Sequence, residues 1–298
     1  MRNTDIIIAE LEEKADRIRS YCMPQFAHID QGHAGGTMSM IDIITALYFQ
    51  HMKLDPKDLD AADRDRLVLS KAHCCEGVYA ALVELGVYPK ETLGTYYGYG
   101  SPFQGHADRW CTRGIDFSGG SLGQGISYAA GLAHAEKLKT LLDPGAGPIQ
   151  PSRYIRRHDP LYRTFCIVGD GECQEGEVWE AAMFASKYRL DNLIVIIDYN
   201  KFCLDGPTAD VMPIEPLADK WRDFGWWVKE INGHDMREIV VTLELTSSLY
   251  GDNRPKCIIA HTVKGRGISE WESIHVHLAR GSVMSNGISE GRSRYGQV

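Results

Sequence analysis

The chain has 298 residues, 44% hydrophobic and 24% charged, and its 40 acidic residues outnumber its 32 basic ones to give a formal charge of −8. This composition belongs to a folded globular chain with a sizeable core and excludes bulk disorder. The scattered positive charge does not favour nucleic acid as the principal ligand. We therefore expect small-molecule chemistry. The sequence also has no apolar run near the roughly 18 to 20 residues that would cross a membrane, so we expect no membrane-spanning segment.

The first 20 residues alternate charged side chains with Ile and Leu at helical spacing. This pattern predicts an amphipathic helix rather than a signal peptide, and therefore a cytoplasmic protein. The eight cysteines contain no CxxC pair, so we expect them to be reduced thiols.

Apolar residues recur at helical spacing in residues 39–52 and again in 76–85, which predicts two helices. Residues 118–138 begin with glycines and continue as an Ala-rich helix, so backbone N–H groups are expected to converge near its start. Residues 139–160 are rich in Pro and Gly and carry Arg153, Arg156 and Arg157. We interpret that segment as a surface excursion with no assigned role.

The second half of the chain alternates apolar strands with helical segments. Residues 164–169 and 192–198 read as strands on either side of a helix at 175–188, which makes a βαβ unit with parallel strands. A further strand, helix and strand are predicted at 227–231, 235–245 and 256–261. The predicted fold is α/β, a doubly wound and mainly parallel sheet with helices on both faces. We predict one domain over residues 1–275 and a mobile Gly/Ser-rich tail over 276–298.

Chemistry-bearing residues follow two of these strands. Gly169-Asp170-Gly171 ends the first strand of the βαβ unit, and Asn200 follows the second. Adjacent parallel strands end about 5 Å apart, so a carboxylate and an amide oxygen are expected to meet there. Such ligands suit Mg²⁺, or Ca²⁺, completed by phosphate oxygens and water. The pattern predicts a metal-bridged diphosphate site.

The segments GDGECQEG and NLIVIIDYN together resemble the thiamine diphosphate motif, and the chain resembles the N-terminal, diphosphate-binding half of a transketolase. The likeness runs from GHAGGTMSM, which begins at residue 32, to KGRG, which ends at residue 267. Between them lie ADRDRLVLSKAH at 62–73, FQGHAD at 103–108, SLGQG at 121–125 and INGHD at 231–235, all in family order.

The resemblance implies thiamine diphosphate and Mg²⁺ (or Ca²⁺) as cofactors. It implies Asp170, Asn200 and the carbonyl of Phe202 as metal ligands. It also implies cofactor contacts from Gly120, Leu122, Gly169, Asp170, Gly171, Glu172 and Asn200.

Histidines need separate treatment, because the chain has eleven of them. The resemblance implies that His33, His73 and His106 face the hydroxyls of a donor ketose, with His73 and His106 also contacting the cofactor. Imidazole suits that position because it donates, accepts or transfers a proton near neutral pH. His261 is a further predicted cofactor contact and His277 a further predicted catalytic residue. The segment SIHVHLARG departs from the family pattern, so His275 and His277 stay alternatives for that role.

Two other features leave alternatives open. The resemblance implies that Glu175 joins a carboxylate network between two cofactors, whereas a charged residue in the first turn of a helix explains it equally well. Cys74 and Cys75 depart from the small residues that are usual after the histidine of this block. They either narrow the pocket or are buried structural thiols.

The resemblance implies an enzyme that transfers a two-carbon ketol unit from a phosphorylated or otherwise anionic ketose to an aldose. In full-length relatives a pyrimidine-binding domain with an essential glutamate follows, and here the chain stops. We therefore expect the partner to be a C-terminal pyrimidine-domain transketolase subunit, in an α2β2 assembly. The alternatives are a split thiamine diphosphate enzyme acting on 2-oxo acids, a synthase of deoxyxylulose type, and a non-catalytic regulatory subunit with the same fold.

Overall fold

The computed structural model describes residues 2–29, 32–142 and 160–273, together with residues 275 and 290. Its strands are β1 (Arg66–Leu69), β2 (Thr164–Gly169), β3 (Leu193–Tyr199), β4 (Trp227–Asn232) and β5 (Lys256–His261). Its α-helices are α1 (Arg2–Ile29), α2 (Ala34–Ser39), α3 (Ile41–Ala46), α4 (Cys75–Glu84), α5 (Gln124–Leu142), α6 (Gly176–Lys187), α7 (Thr208–Val211), α8 (Leu217–Asp223), α9 (Met236–Ser248) and α10 (Ser269–Ser273).

The strands form a five-stranded sheet in the order β1-β2-β3-β5-β4, and every neighbouring pair is parallel. The chain leaves the sheet after each strand and returns through a crossover, because parallel neighbours cannot be joined by a tight turn. The carboxyl ends of the strands consequently lie along one edge. This arrangement confirms the predicted α/β class.

Side chains of the central strands alternate between two apolar layers. Phe165 and Ile167 of β2 pack into the layer that contains α1, α3, α4 and α9. Cys166 and Val168, one residue out of phase, pack into the layer that contains α5, α6 and α8. Because both faces of the sheet are covered, the strands are continuous apolar runs rather than alternating ones.

Most predicted elements are present, with some differences. The predicted helix at 39–52 is α3 followed by a π-helical turn, Leu47–His51. Strand β1 and the short helices α2, α7, α8 and α10 were not predicted. These elements have only four to seven residues, which are too few to display a period. Residues 143–159 of the predicted excursion lie outside the described residues. So does the predicted tail, apart from Glu290.

The first helix is longer than predicted and reaches Ile29. No helix among the described residues is long and apolar enough to cross a membrane.

Candidate functional site

The ends of β2 and β3 lie side by side, as the sequence predicts. Gly169 is the register partner of Asp198, and the N–H of Asp170 donates to the carbonyl of Asp198 at 3.3 Å. The Asp170 carboxylate is 1% exposed and accepts the N–H groups of Gly171 at 2.8 Å and Lys201 at 2.5 Å. Two backbone amides from two different strand ends therefore fix the orientation of this carboxylate.

Asn200 is held by its own neighbours on the next strand end. Its Oδ1 accepts the N–H of Phe202 at 3.1 Å, and its Nδ2 donates to Asp198 at 3.3 Å. The amide oxygen keeps a second lone pair, and so does each oxygen of Asp170. The two side chains predicted as metal ligands thus line the same cleft.

Asp198 is a buried anchor beneath these groups. It forms an ion pair with Lys71 and accepts hydrogen bonds from Ser39 at 2.5 Å and from Thr262. Burial opposes its charge, but Lys71 and these donors lower the pKa of Asp198 below its ordinary value. Lys71 also donates to the carbonyl of Gly36 at 2.8 Å, so one ammonium ties three chain segments together.

The donor set fits a divalent cation. Burial, and then the nearby charge of Asp198, raise the pKa of Asp170 to about 7. A buried carboxylate in this environment gains from a hard cation beside it, because the cation offsets the cost of burying the charge. Carboxylate, amide and carbonyl oxygens are the ligands that Mg²⁺ and Ca²⁺ take.

Glu172 organises the glycine-rich wall of the cleft. Its carboxylate accepts the N–H groups of Gly123 at 2.8 Å and Gly169 at 3.0 Å and the hydroxyl of Ser70. It is 2% exposed, and burial raises its pKa. The oxygens of Glu172 are thus used by three protein donors that hold the SLGQG loop against the end of β2.

The three predicted histidines come together although they are far apart in sequence. The ring centroid of His33 lies 5.0 Å from that of His73 and 5.6 Å from that of His106, edge to face in both cases. Burial lowers the pKa of His106, which favours its neutral form. Behind them, the fully buried Glu76 accepts the N–H of His33 at 2.9 Å and the hydroxyl of Tyr96 at 2.9 Å.

The metal-ligand pair, the glycine-rich wall and the three histidines line one cleft of about 390 Å³. The sequence-predicted residues that line it are His33, His73, His106, Gly120, Leu122, Gly169, Asp170, Gly171, Glu172, Glu175, Asn200 and Phe202. Gly120 has no described atom within 4 Å of an added Cβ position, so bare backbone faces open space there. The cleft therefore combines a metal-ligand pair, a glycine-lined wall and a histidine cluster.

His261 is absent from the described lining of the cleft; its Nε2 contacts Glu230 at 3.0 Å, and its ring lies edge-on to Tyr199. His277 lies outside the described residues. Its alternative, His275, stacks on Phe202 with ring centroids 3.9 Å apart, which places it beside the cleft.

Sequence reasoning also missed residues of the site. Lys71 and Lys264 line the cleft, and both stand inside blocks that carried the resemblance, LSKAH and KGRG. Lys264 is 3% exposed and donates to the carbonyl of Cys203 at 2.9 Å, and burial lowers its pKa. The sequence signal that could have identified both lysines is a basic residue inside a block that carries the resemblance. Cys74 and Cys75 are buried and do not belong to the described lining of the cleft.

The chain is similar to known proteins over nearly its whole length. The family model described as "Transketolase, thiamine diphosphate binding domain" matches residues 11–297. The 6-deoxy-6-sulfo-D-fructose transketolase subunit of Clostridium sp. (strain MSTE9) is 42% identical over 261 residues, which cover 87% of each chain. An apulose-4-phosphate transketolase subunit of Phocaeicola vulgatus is 36% identical, covering 90% of this chain and 87% of that protein.

Solved structures give the same result. The transketolase of Leishmania mexicana superimposes with a TM-score of 0.81 and 29% identity, covering 96% of this chain and 41% of that one. The transketolase of Campylobacter jejuni gives a TM-score of 0.80 and 29% identity, with 96% and 42% covered. This chain thus spans about two fifths of the length of those solved proteins.

Proposed function

Because this chain belongs to the transketolase family, we propose that it is the thiamine diphosphate- and Mg²⁺-binding N-terminal subunit of a split transketolase. The observation that carries this proposal is a single cleft that brings Asp170 and Asn200 together with His33, His73 and His106.

The proposed metal ligands are Asp170, Asn200 and the carbonyl of Phe202. Asp170 and Asn200 are already oriented by backbone amides, so they would bind a cation with little rearrangement. Mg²⁺ is the expected ion and Ca²⁺ the alternative, because both prefer oxygen ligands and accept phosphate oxygens.

The proposed diphosphate site lies beside the metal ligands. The backbones of Gly120, Gly169 and Gly171 would approach the phosphates closely, and Leu122 would contact the organic part of the cofactor. Lys71 and Lys264 line the cleft; the charge of Lys71 is balanced by Asp198, and that of Lys264 would offset part of the charge of the diphosphate. Glu172 would act on the cofactor through the Gly123 and Gly169 amides that it holds.

Thiamine diphosphate supplies the carbanion chemistry of ketol transfer when it is bound. The part left to this chain is to orient the sugar and to handle protons. His33, His73 and His106 would bind the hydroxyls of a ketose and exchange protons with them. Burial lowers the pKa of His106, which favours a neutral imidazole that both donates and accepts.

A separate pyrimidine-domain subunit is the proposed partner, in an α2β2 assembly. Two observations support a partner: the relatives of similar length are named as subunits, and the solved transketolases are more than twice as long as the matched region. In this arrangement the partner would close the cleft and provide the group that activates the cofactor.

The proposed donor is a ketose with an anionic terminal group, and an aldose is the acceptor. The names of the two relatives specify a sulfonated and a phosphorylated sugar, so an anionic end is what they share. All eight cysteines are free thiols, which supports a reducing, cytoplasmic location.

Co-expression with the chain encoded beside it, followed by assays of the separated chains and of the complex, tests the proposal. Fructose 6-phosphate, 6-deoxy-6-sulfofructose and pyruvate serve as donors in parallel, with thiamine diphosphate and Mg²⁺ present. We expect the complex to transfer a ketol unit from an anionic ketose, and neither separated chain to do so.

Two other outcomes would favour the alternatives. Pyruvate consumption would favour a 2-oxo acid enzyme, and a complex that binds the cofactor but turns over no donor would favour a regulatory subunit. The buried Cys74 and Cys75 do not support the regulatory alternative, because neither belongs to the described lining of the cleft.

A further inference from the structure

The INGHD segment between β4 and α9 contributes no residue to the described lining of the cleft, yet its polar groups are closely organised. Asp235 caps α9 by accepting the N–H of Glu238 at 3.0 Å, and Glu238 accepts the N–H of Asn232 at 3.0 Å. Asn232 in turn accepts the N–H of His234 at 3.0 Å. These hydrogen bonds fix the backbone on either side of His234.

Gly233 brings this turn unusually close to the end of β5. Its N–H donates to the carbonyl of His261 at 2.8 Å. A Cβ at this position would stand 2.5 Å from Cγ2 of Thr262 and 3.1 Å from Cβ of Ala260. Only glycine permits the turn to lie this close to β5. Because of this close contact, His234 reaches the segment that follows β5.

His234 bridges two parts of the molecule that are distant in sequence. Its Nδ1 lies 2.8 Å from the carboxylate of Asp42 on α3, and its Nε2 accepts the N–H of Val263 at 2.8 Å. A backbone amide only donates, so Nε2 carries the lone pair and Nδ1 carries the proton. Asp42 is itself held by Arg19 of α1 at 2.5 Å, which fixes the far end of the bridge.

The segment held in this way is the 262–265 loop, which carries Lys264 into the cleft. Hydrogen bonds attach its backbone and side chains to several parts of the chain. The hydroxyl of Thr262 donates to Asp198 and its N–H to the carbonyl of Tyr199 at 3.1 Å, Nζ of Lys264 donates to the carbonyl of Cys203 at 2.9 Å, and the N–H of Gly265 donates to the carbonyl of Gly35 at 3.0 Å. The N–H of Val263 donates to His234, and among the described residues this is the only hydrogen bond that reaches the loop from the β4–α9 turn.

We infer that His234 is a positioning residue: it holds the 262–265 loop through its Nε2 and thereby sets Lys264 at the diphosphate end of the cleft. The role assigned to Lys264 rests on the proposed function. The hold on the loop does not, because it follows from the His234 geometry alone.

Two substitutions of His234 distinguish its contact with Asp42 from its contact with Val263. His234→Asn places an amide nitrogen near the Nδ1 position, so it keeps a donor for Asp42 and loses the bond to Val263. His234→Gln places an amide oxygen near the Nε2 position, so it keeps an acceptor for Val263. His134→Asn, on α5, is the matched control, because the described ring contacts of His134 are to Phe184 and Tyr188, far along the chain from the loop.

The measurement is amide hydrogen exchange at Val263 in the full chain, with Ile258 of β5 as an internal reference. We expect exchange at Val263 to be about tenfold faster in His234→Asn, and close to wild type in His234→Gln and His134→Asn. Equal exchange in the Asn and Gln variants, whether fast or slow, would overturn the inference. Equal loss of protection at Ile258 would also overturn it, because general unfolding is not positioning.

Titration of the two-chain complex with thiamine diphosphate and Mg²⁺ then tests the consequence. We expect about tenfold weaker binding by His234→Asn and near-normal binding by His234→Gln. If the wild-type complex binds no thiamine diphosphate, the proposed function fails, while the exchange data still decide whether His234 holds the loop. If Val263 is freed and affinity is unchanged, the link to Lys264 is wrong.

Discussion

The fully buried carboxylate of Glu76 accepts the backbone N–H of His33 at 2.9 Å. The same carboxylate also accepts the hydroxyls of Thr37 at 2.8 Å and Tyr96 at 2.9 Å. Glu76 therefore holds the residue before α2, and with it the His33 ring, in place next to His73 and His106.

Replacing Glu76 should lower the stability of the folded chain. Glu76→Ala leaves the N–H of His33 without its acceptor and opens a cavity, and we expect a loss of about 2–4 kcal/mol in the free energy of unfolding. Tyr96→Phe is the control, since it removes one hydroxyl and leaves the bond to His33; its loss should be about 1 kcal/mol. Chemical denaturation measures both values. Similar losses in the two variants would contradict this role of Glu76.

Gly120 should be required for cofactor binding and not for folding. An added Cβ meets no described protein atom within 4 Å, while Gly120 lines the cleft. We expect Gly120→Ala to keep the wild-type melting temperature and to weaken thiamine diphosphate binding by the complex at least tenfold. Gly94→Ala, where an added Cβ likewise meets no described atom within 4 Å, should leave the affinity unchanged. Calorimetric titration measures the affinities, and a normal value for Gly120→Ala would argue against this placement of the cofactor.

The histidine cluster and the metal ligands should have separable effects. His33→Ala should reduce kcat by about 10²–10⁴-fold with a small change in cofactor affinity, since this imidazole is expected to bind the sugar and not the cofactor. Asp170→Ala should abolish Mg²⁺-dependent cofactor binding instead. Steady-state kinetics and titration of the two variants distinguish these outcomes. Equal effects on binding and turnover in both would mean that the roles are assigned wrongly.

His51 lies next to Arg163, at the amino ends of the strands, and should make the stability of the fold depend on pH. Burial, and then the charge of Arg163, lower the pKa of His51 from 6.5 to about 4 in the folded chain. The unfolded chain therefore binds the extra proton between pH 6.5 and 4, so stability falls as the pH falls through that window. The loss attributable to this group approaches about 3 kcal/mol. Unfolding free energies of wild type and His51→Asn from pH 7.5 to 4 measure it, and the gap between the two proteins should narrow as the pH falls. A constant gap would refute it.

The sequence predicted the strand ends well because their relation is local in topology. Gly169 ends the first strand of one βαβ unit and Asn200 follows the second. Because the two strands pair in parallel, their carboxyl ends lie side by side independently of the rest of the fold. The ion pair of Lys71 with Asp198 was not predicted, because the two residues are separated by 127 positions and only the assembled sheet brings them together.

His261 shows a different limit. It ends β5 beside Tyr199, as a residue of the site would, but successive side chains on a strand point to opposite faces. Thr262, one residue later, contacts Asp198 under the cleft, and His261 contacts Glu230. The sequence thus predicts that His261 lies at the end of a strand. It does not predict which face of the sheet the His261 side chain points to.

A crystal structure of the two-chain complex grown with thiamine diphosphate and Mn²⁺, with the ion located by its anomalous signal, tests whether Asp170 and Asn200 hold the metal. We expect one ion within about 2.0–2.3 Å of both the Asp170 carboxylate and the Asn200 amide oxygen, bridging to the diphosphate. An ion held elsewhere, or a diphosphate bound away from these two side chains, would contradict it.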